Sequence, residues 1–509
     1  MIDFSTFKEN FNDEYFVPEV PLSKDYKVFI GDREVPVYTC RISKVPYNVP
    51  WPGHQRNADL SELVSYINVV SDEDVTLRVI PTKKNYDKAF IKPYSKGVKV
   101  NKNIDGELCF TIKSHGGYTL NLDDFHGCLY VFNSPFIPCE DKSKVTYYFD
   151  KGIHFVGKIE LKSNESVYVD KDAIVYGNVY AEHAENVKVY GNGIFDDSLE
   201  ERVYEKIFGI NVGNARFIRC NNVKIEGVGF MNSAIWCINI YACKNVEIDG
   251  IKVFGQWKYN TDGIDLLNCA NVIIKNTFVQ SFDDSIVLKA FDVFSDISNE
   301  HITVENCTIE CQWGRALEIG LETSCREYND ILFKNIDVIR PGGIVCDIQN
   351  GDCAEVHDVT FDDIRVEYES YYTQETLQWG KPREYSDAPY PNADKIQTFR
   401  LFMMLNIRFR DYYKVDGKTT YQLQKGDERF AGTHDVTIKN VSIYASDKVI
   451  ETLGKNTVLF EFVNLIETTK YSNVTVKDVS LNGKKLKSND VTIKYDGGGI
   501  FENFNILND

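Results

Sequence analysis

The sequence predicts an all-β protein: a right-handed parallel β-helix preceded by an antiparallel β-sandwich-like domain. Three observations predict it. A short motif alternating apolar and polar side chains recurs from about residue 150 onward. No apolar stripe of 3.6-residue period separates its copies, which excludes a helical repeat, and the spacing of a leucine-rich repeat is missing. The first 138 residues lack the motif and hold short alternating runs broken by Gly, Asn, Asp and Pro.

In that first region the runs YKVFI from Tyr26, VTLRVI from Val75 and GELCFTI from Gly106 have the two-residue period of half-buried strands. Residues 1–138 are therefore read as the N-terminal β-sandwich-like domain and residues 139–509 as the β-helix, with coils starting near Val145. The motif appears as NVKVYG from Asn186, NVKIEG from Asn222, NVEIDG from Asn245 and NVIIKN from Asn271. It continues as HITVEN from His301, DILFKN from Asp330, DVTFDD from Asp358, DVTIKN from Asp435 and NVTVKD from Asn473. Between residues 222 and 358 the copies are about 23 to 30 residues apart, one coil each. Each coil buries its inward side chains against its neighbours. Stacked strands lie about 4.8 Å apart, so residues one coil apart become surface neighbours. The stretch 366–432, rich in Tyr, Gln, Lys and Arg, interrupts the motif and reads as an inserted loop region over the cleft.

Composition narrows the partners. The chain of 509 residues carries 57 Lys+Arg against 75 Asp+Glu, a net charge of -18. Nucleic acid and anionic membrane both need a basic face, so neither is expected, and a polyanionic substrate is disfavoured. The N-terminus MIDFSTFKENFNDEYF shows neither a basic n-region nor an apolar h-region, and no apolar run is long enough to span a bilayer; the expectation is a cytoplasmic protein. The 13 cysteines have no C-x-x-C pair and no zinc spacing, and read as buried thiols. No metal and no cofactor is assigned; a homo-oligomer is left open.

The chemistry concentrates in WKYNTDGID, from Trp257 to Asp265, and SFDDSIVLKA, from Ser281 to Ala290. Asp262 precedes Asp283 and Asp284 by about one coil, which puts three carboxylates at one surface spot. Crowded carboxylates cannot all ionise freely, and a protonated carboxyl beside an ionised one is what glycoside hydrolysis uses. Strand parity turns Ile286 and Leu288 inward and Asp283, Ser285 and Lys289 outward; on the next coil Leu317 and Ile319 point inward and Glu318 outward. Lys289 and Arg315 would stabilise ionised partners or bind sugar hydroxyls, and Trp257 would stack on a sugar face. The plainer alternatives are turn carboxylates at a coil corner, a surface ion-pair ladder and core packing. His301 and His357 read as equivalent coil positions with a structural role. The segment Trp51 to Arg56 reads as a domain-interface loop or one reaching the cleft from the side.

Asn260-Thr-Asp262-Gly followed one coil later by Asp283-Asp284-Ser-Ile resembles glycoside hydrolase family 28, the polygalacturonase-like enzymes, and more distantly the dextranases of family 49. GKIELKSN from Gly157 and VYGNGIFD from Val189 add to the likeness, which covers about residues 145 to 365. The resemblance implies an inverting hydrolase with Asp283 as general acid, Asp262 and Asp284 holding and deprotonating the attacking water, and Asn260 leading into the motif. Two departures bear on the substrate. Where the family carries Gly-His-Gly this chain has Gly314-Arg315-Ala316, and where it carries a uronate-binding Arg-x-Lys the counterpart is Asp347-Ile-Gln349. An acid facing a uronate would repel it, so a neutral sugar is expected. The added N-terminal domain and the insertion favour exo action. The competing functions are a β-helix polysaccharide lyase, needing Ca²⁺ on the acid cluster and Lys289 or Arg315 as base, and a non-catalytic carbohydrate-binding β-helix.

Overall fold

The structure, a computed structural model, describes residues 2–6, 21–43, 61–83, 85–139, 141–202, 212–352, 354–368, 399–406, 414–415, 418–419, 432–447, 450–451 and 458–507. It is all-β. Two sheets form the N-terminal sandwich. One carries the strands Ser61–Val70, Asp124–Ser134, Gly116–Leu122 and Ala89–Lys92, with Tyr38–Ser43 paired to Ser61–Val70; the other carries Tyr26–Ile30, Val75–Pro81 and Leu108–Ile112. Their facing side chains, among them Val28, Leu77, Val79, Ile67, Leu120 and Val131, are buried together. One pair departs from the antiparallel expectation: Asp124–Ser134 runs parallel to Ser61–Val70. These two strands are joined by a long excursion through strands of both sheets, which permits a parallel return.

From Tyr147–Phe149 onward the described strands join one coiled sheet system, except Lys414–Val415 and Lys418–Thr419, which pair only with each other. Its pairings are parallel save that of Lys484–Lys485 with Lys470–Leu481, and it is wound right-handed as parallel crossovers are. The repeat motif explains how. Its first residue sits in the left-handed region in every copy, with φ of 56° at Asn186, 59° at Asn222, 55° at Asn245, 57° at Asn271 and 56° at His301, and so on through Asn473. The residue closing the motif does the same, for example Gly227, Gly250, Asn276, Asn306 and Asn335. Asn, Asp and Gly tolerate that conformation, so each short strand is bracketed by two bends that steer the chain around the coil. Asn222 donates to Asn186 at 2.7 Å and Asn271 to Asn245 at 3.2 Å, tying the bends coil to coil. The apolar positions between, such as Val223, Ile225, Ile248, Ile274 and Val304, form the continuous core.

His301 and His357 are not equivalent after all. His301 occupies the left-handed position, whereas His357 lies one residue before it and is in register with His434, their rings stacked at 5.1 Å. The segment Trp51 to Arg56 lies outside the described residues, as does most of 366–432. Within that latter span Phe399–Asn406 pairs in parallel with Cys346–Asn350 and Val458–Asn464, so a coil strand runs inside the stretch read as an insertion. This strand lacks the Asn- or Asp-led motif that marks the other coils in the sequence.

The sandwich is fastened to the β-helix by an apolar layer, including Tyr66, Tyr130, Phe132, Phe254 and Phe278, and by buried polar ties. Tyr130 donates to Glu310 at 2.9 Å, Glu310 pairs with Arg340 at 2.7 Å, and Lys92 pairs with Glu367 at 3.6 Å. Ser43, at the end of its strand, donates its N–H to Gln312 at 2.8 Å. Gln312 leads directly into the coil segment that carries Arg315.

Candidate active site

The site forms where consecutive coils turn into the strands Ile264–Leu267, Ile286–Ala290, Leu317–Thr323 and Cys346–Asn350. Backbone bonds stack these turns: Gly263 N–H donates to Asp284 O at 2.8 Å and Ser285 N–H to Arg315 O at 2.8 Å. Two glycines permit the close approach. A Cβ on Gly314 would lie 2.5 Å from the Asp284 nitrogen, and one on Gly263 would lie 2.3 Å from the Ser285 oxygen. Strand register then sets Asp265, Val287, Glu318 and Asp347 in one outward row across four coils.

The carboxyls so assembled are almost wholly buried: Asp262 is 1% exposed, Asp283 and Asp284 6% each, Glu318 1%, Asp265 and Asp347 0%. Two cations serve them. The Lys289 ammonium donates to Asp262 at 2.9 Å and to Asp265 at 2.6 Å, and lies 4.0 Å from the centroid of the Trp236 ring. The Arg315 guanidinium, about a third exposed, lies 3.5 Å from Asp284, 3.5 Å from Asp347 and 4.0 Å from Glu318. Asn260, at φ 53°, points its amide at Asp283 across 3.4 Å. It is itself held by Arg202, which donates to the Asn260 side chain at 2.8 Å and to Tyr259 O at 2.9 Å. Phe282 stacks on Trp313 at 5.4 Å, packing the apolar side of the turn that carries Asp283.

This environment separates two adjacent carboxyls. Burial, reinforced by the neighbouring charge of Asp284, pushes Asp283 up to about 7. Burial acts on Asp284 in the same direction, but Arg315 and Lys289, the neighbouring Glu318 carboxyl and the Arg315 N–H at 3.0 Å outweigh it and hold Asp284 below the usual carboxylate range. Burial raises Asp265 to about 7 and Asp262 well above its ordinary value against the pull of Lys289. One ammonium facing two buried carboxyls holds one negative charge there, and the other carboxyl keeps its proton.

Of the residues expected from sequence, Asp262, Asp283, Asp284, Asn260, Lys289, Arg315 and Glu318 are brought together. Trp257 is half-buried with the Arg41 guanidinium of the sandwich 5.6 Å from its ring centroid. Ser285 is engaged by Ser281 at 2.7 Å; alternation holds only within the strand, which begins at Ile286. Asp265 was missed although its signal was present, since Ile264 and Leu266 point inward. Arg202 and Trp236 carried no signal, being placed by the winding of earlier coils.

Fold and site together define a right-handed parallel β-helix protein with a buried acid–base cluster at one edge of its coils. The model of Glycosyl hydrolases family 28 matches residues 139–375, the span that contains the cluster. This part of the chain is therefore similar to the family 28 glycosyl hydrolases, the likeness that the motifs carry. A polygalacturonase of Gossypium barbadense is 27% identical over 144 residues, 26% of this chain and 33% of that protein. A probable rhamnogalacturonase A of Aspergillus oryzae is 21% identical over 189 residues, 35% of this chain and 38% of its own length. The match to such curated relatives thus spans only about a third of their length. Among solved structures Dex49A from Penicillium minioluteum superposes with a TM-score of 0.65 at 13% identity, covering 96% of this chain and 94% of that one. That likeness concerns the fold, sandwich and β-helix together.

Proposed function

We propose that the chain is an inverting glycoside hydrolase acting on a neutral glycan. The observation that carries this reading is the separation of Asp283 and Asp284, one raised to about 7 and the other lowered, in one buried turn. Asp283 holds its proton near neutrality and delivers it to the glycosidic oxygen as the bond to the anomeric carbon breaks. Asp284 is ionised and takes a proton from a water that attacks the opposite face of the sugar, with Asp262, clamped by Lys289, as the second group on that water. The new bond forms opposite the one that breaks, which inverts the anomeric centre. Lys289 and Arg315 hold these carboxyls in place without entering the reaction.

The choice of sugar rests on Asp347 and Gln349. Asp347 is fully buried, lies 3.5 Å from Arg315 and accepts from Gln349 at 2.5 Å. Arg315 is thereby committed to carboxyls of the protein, and a uronate arriving here would meet acids before it met a cation. We propose exo action as well, supported by the sandwich packed along the β-helix with Arg41 against Trp257. The test is reducing-sugar release from dextran-type and other neutral oligosaccharides alongside oligogalacturonate, comparing wild type with Asp283→Asn. Hydrolysis of neutral chains from one end, with the first product of opposite anomeric configuration, is expected. Cleavage confined to oligogalacturonate overturns the substrate assignment, and internal cuts overturn the exo assignment.

A further inference from the structure

Glu318 has no counterpart among the three aspartates of the proposed reaction, yet it is 1% exposed and shares their space. Its outward position places Val287 on the coil before it and Asp347 on the coil after it. Three charged groups face it: Asp284 from the turn before Ile286–Ala290, Arg315 from its own coil and Asp347 from the next. Arg315 is a poor partner, since its Nε stands 4.0 Å from Glu318 Oε1. Among the described residues no donor serves Oε2, a buried oxygen. The Glu318 and Asp284 carboxyls, by contrast, lie within hydrogen-bonding reach of each other. Two carboxylates in contact out of water repel, and a single proton between them turns that repulsion into a hydrogen bond.

The surroundings say which oxygen owns the proton. Asp284 Oδ1 accepts the Arg315 backbone N–H at 3.0 Å and lies 3.5 Å from the guanidinium. Asp284 is thus ringed by donors and suited to the anion. Glu318, with an oxygen that no donor reaches, is suited to the acid.

We propose that Glu318 is a positioning residue that keeps its proton and donates it to Asp284, fixing Asp284 in the ionised, correctly turned state that a water-activating base requires. The assignment rests on the hydrolase reading for its role, but not for its protonation. Burial and the Asp284 charge both push the Glu318 carboxyl well above its ordinary range, in accord with that geometry. The sign follows. The unfolded chain releases this proton in the usual carboxylate range while the folded chain keeps it, so the Glu318 contribution to stability is full at low pH and is lost as pH rises.

The experiment compares the full-length wild type, Glu318→Gln and Glu318→Leu. Urea unfolding from pH 5 to 9 reads the proton directly. The wild-type folding constant should fall about ten-fold more per pH unit than that of Glu318→Gln, whose amide donates to Asp284 without titrating. Equal slopes overturn the proposal. Hydrolysis reads the role: Glu318→Leu should move the acidic limb of the rate profile up by about one pH unit, as expected when Asp284 loses a donor, and Glu318→Gln should restore about ten-fold of the lost kcat. A raised KM with an unmoved acidic limb in Glu318→Leu assigns Glu318 to substrate binding instead and also overturns the proposal. If no glycan is hydrolysed even by the wild type, the functional reading fails while the unfolding slopes still decide where the proton sits.

Discussion

The same coils carry charge on two faces, and the faces differ in kind. On the motif strands acids and bases are matched and half in water: Lys188 with Glu226 at 3.2 Å, Lys224 with Glu226 at 3.1 Å, Lys275 with Glu247 at 2.9 Å and with Asp249 at 3.5 Å. On the site face Lys289 and Arg315 serve five carboxyls between them: Asp262 and Asp265 on one side, Asp284, Glu318 and Asp347 on the other. Exposed matched pairs are screened and contribute little. Buried carboxyls in excess of cations cannot all ionise, so protons are retained and neighbouring groups acquire different acidities. The difference teaches that stacking alone asks for regular, solvated ladders, whereas chemistry here is built by withholding both water and counter-charge.

The largest effect expected from breaking this contrast is Asp283→Asn, which removes the proton donor while keeping shape. Hydrolysis should fall by about 10²–10⁴-fold, with unfolding by urea almost unchanged at acidic pH, where Asp283 is protonated in both the folded and the unfolded chain. Activity within a few-fold of wild type would move the proton donor elsewhere. Next comes Lys289→Met, which leaves Asp262 and Asp265 buried without their shared cation. A loss of about 3–5 kcal/mol is expected in urea unfolding, and the loss should shrink at acidic pH, where both carboxyls take protons. Gly314→Ala tests the close approach of the turns. Its methyl group would press on the backbone between Asp283 and Asp284, and about a hundred-fold loss of kcat is expected from displaced carboxyls.

Acidity sharpens the same comparison. Asp283 must hold its proton and Asp284 must not, so the rate should fall above pH about 7 and persist into the acidic range below the usual carboxylate value. Stability should behave differently. Asp283 and Asp265 are raised acids, so the unfolded chain releases their protons first, and stability should decline as pH rises from the ordinary carboxylate range to about 7. Melting temperatures across that range check it, with a shallower decline expected for Asp283→Asn. The smallest effect belongs to the other face. Lys275→Met should cost about 0.2–1 kcal/mol, less at high salt, as an exposed pair does.

Much of this was legible in the sequence because a β-helix is built from local rules. Motif-leading residues such as Asn222 and Asn245 accept a left-handed bend, the alternating valines and isoleucines face the core, and the interval between copies sets the coil. Those features give the architecture, and they bring Asp262 within one coil of Asp283 and Asp284. Parity inside a strand also sufficed for Glu318 and Lys289, and would have sufficed for Asp265. It failed at Ser285, where the turn suspends alternation, and at Phe399–Asn406, a coil strand without the motif. Only the tertiary structure decided which cation serves which acid. Lys289 spans Asp262 and Asp265, Arg315 spans Asp284, Glu318 and Asp347, and Arg202 reaches Asn260 from 58 residues earlier. The acidity of a carboxyl depends on how much water is removed and on charges a few ångströms away, and neither quantity is a property of the chain read along its length.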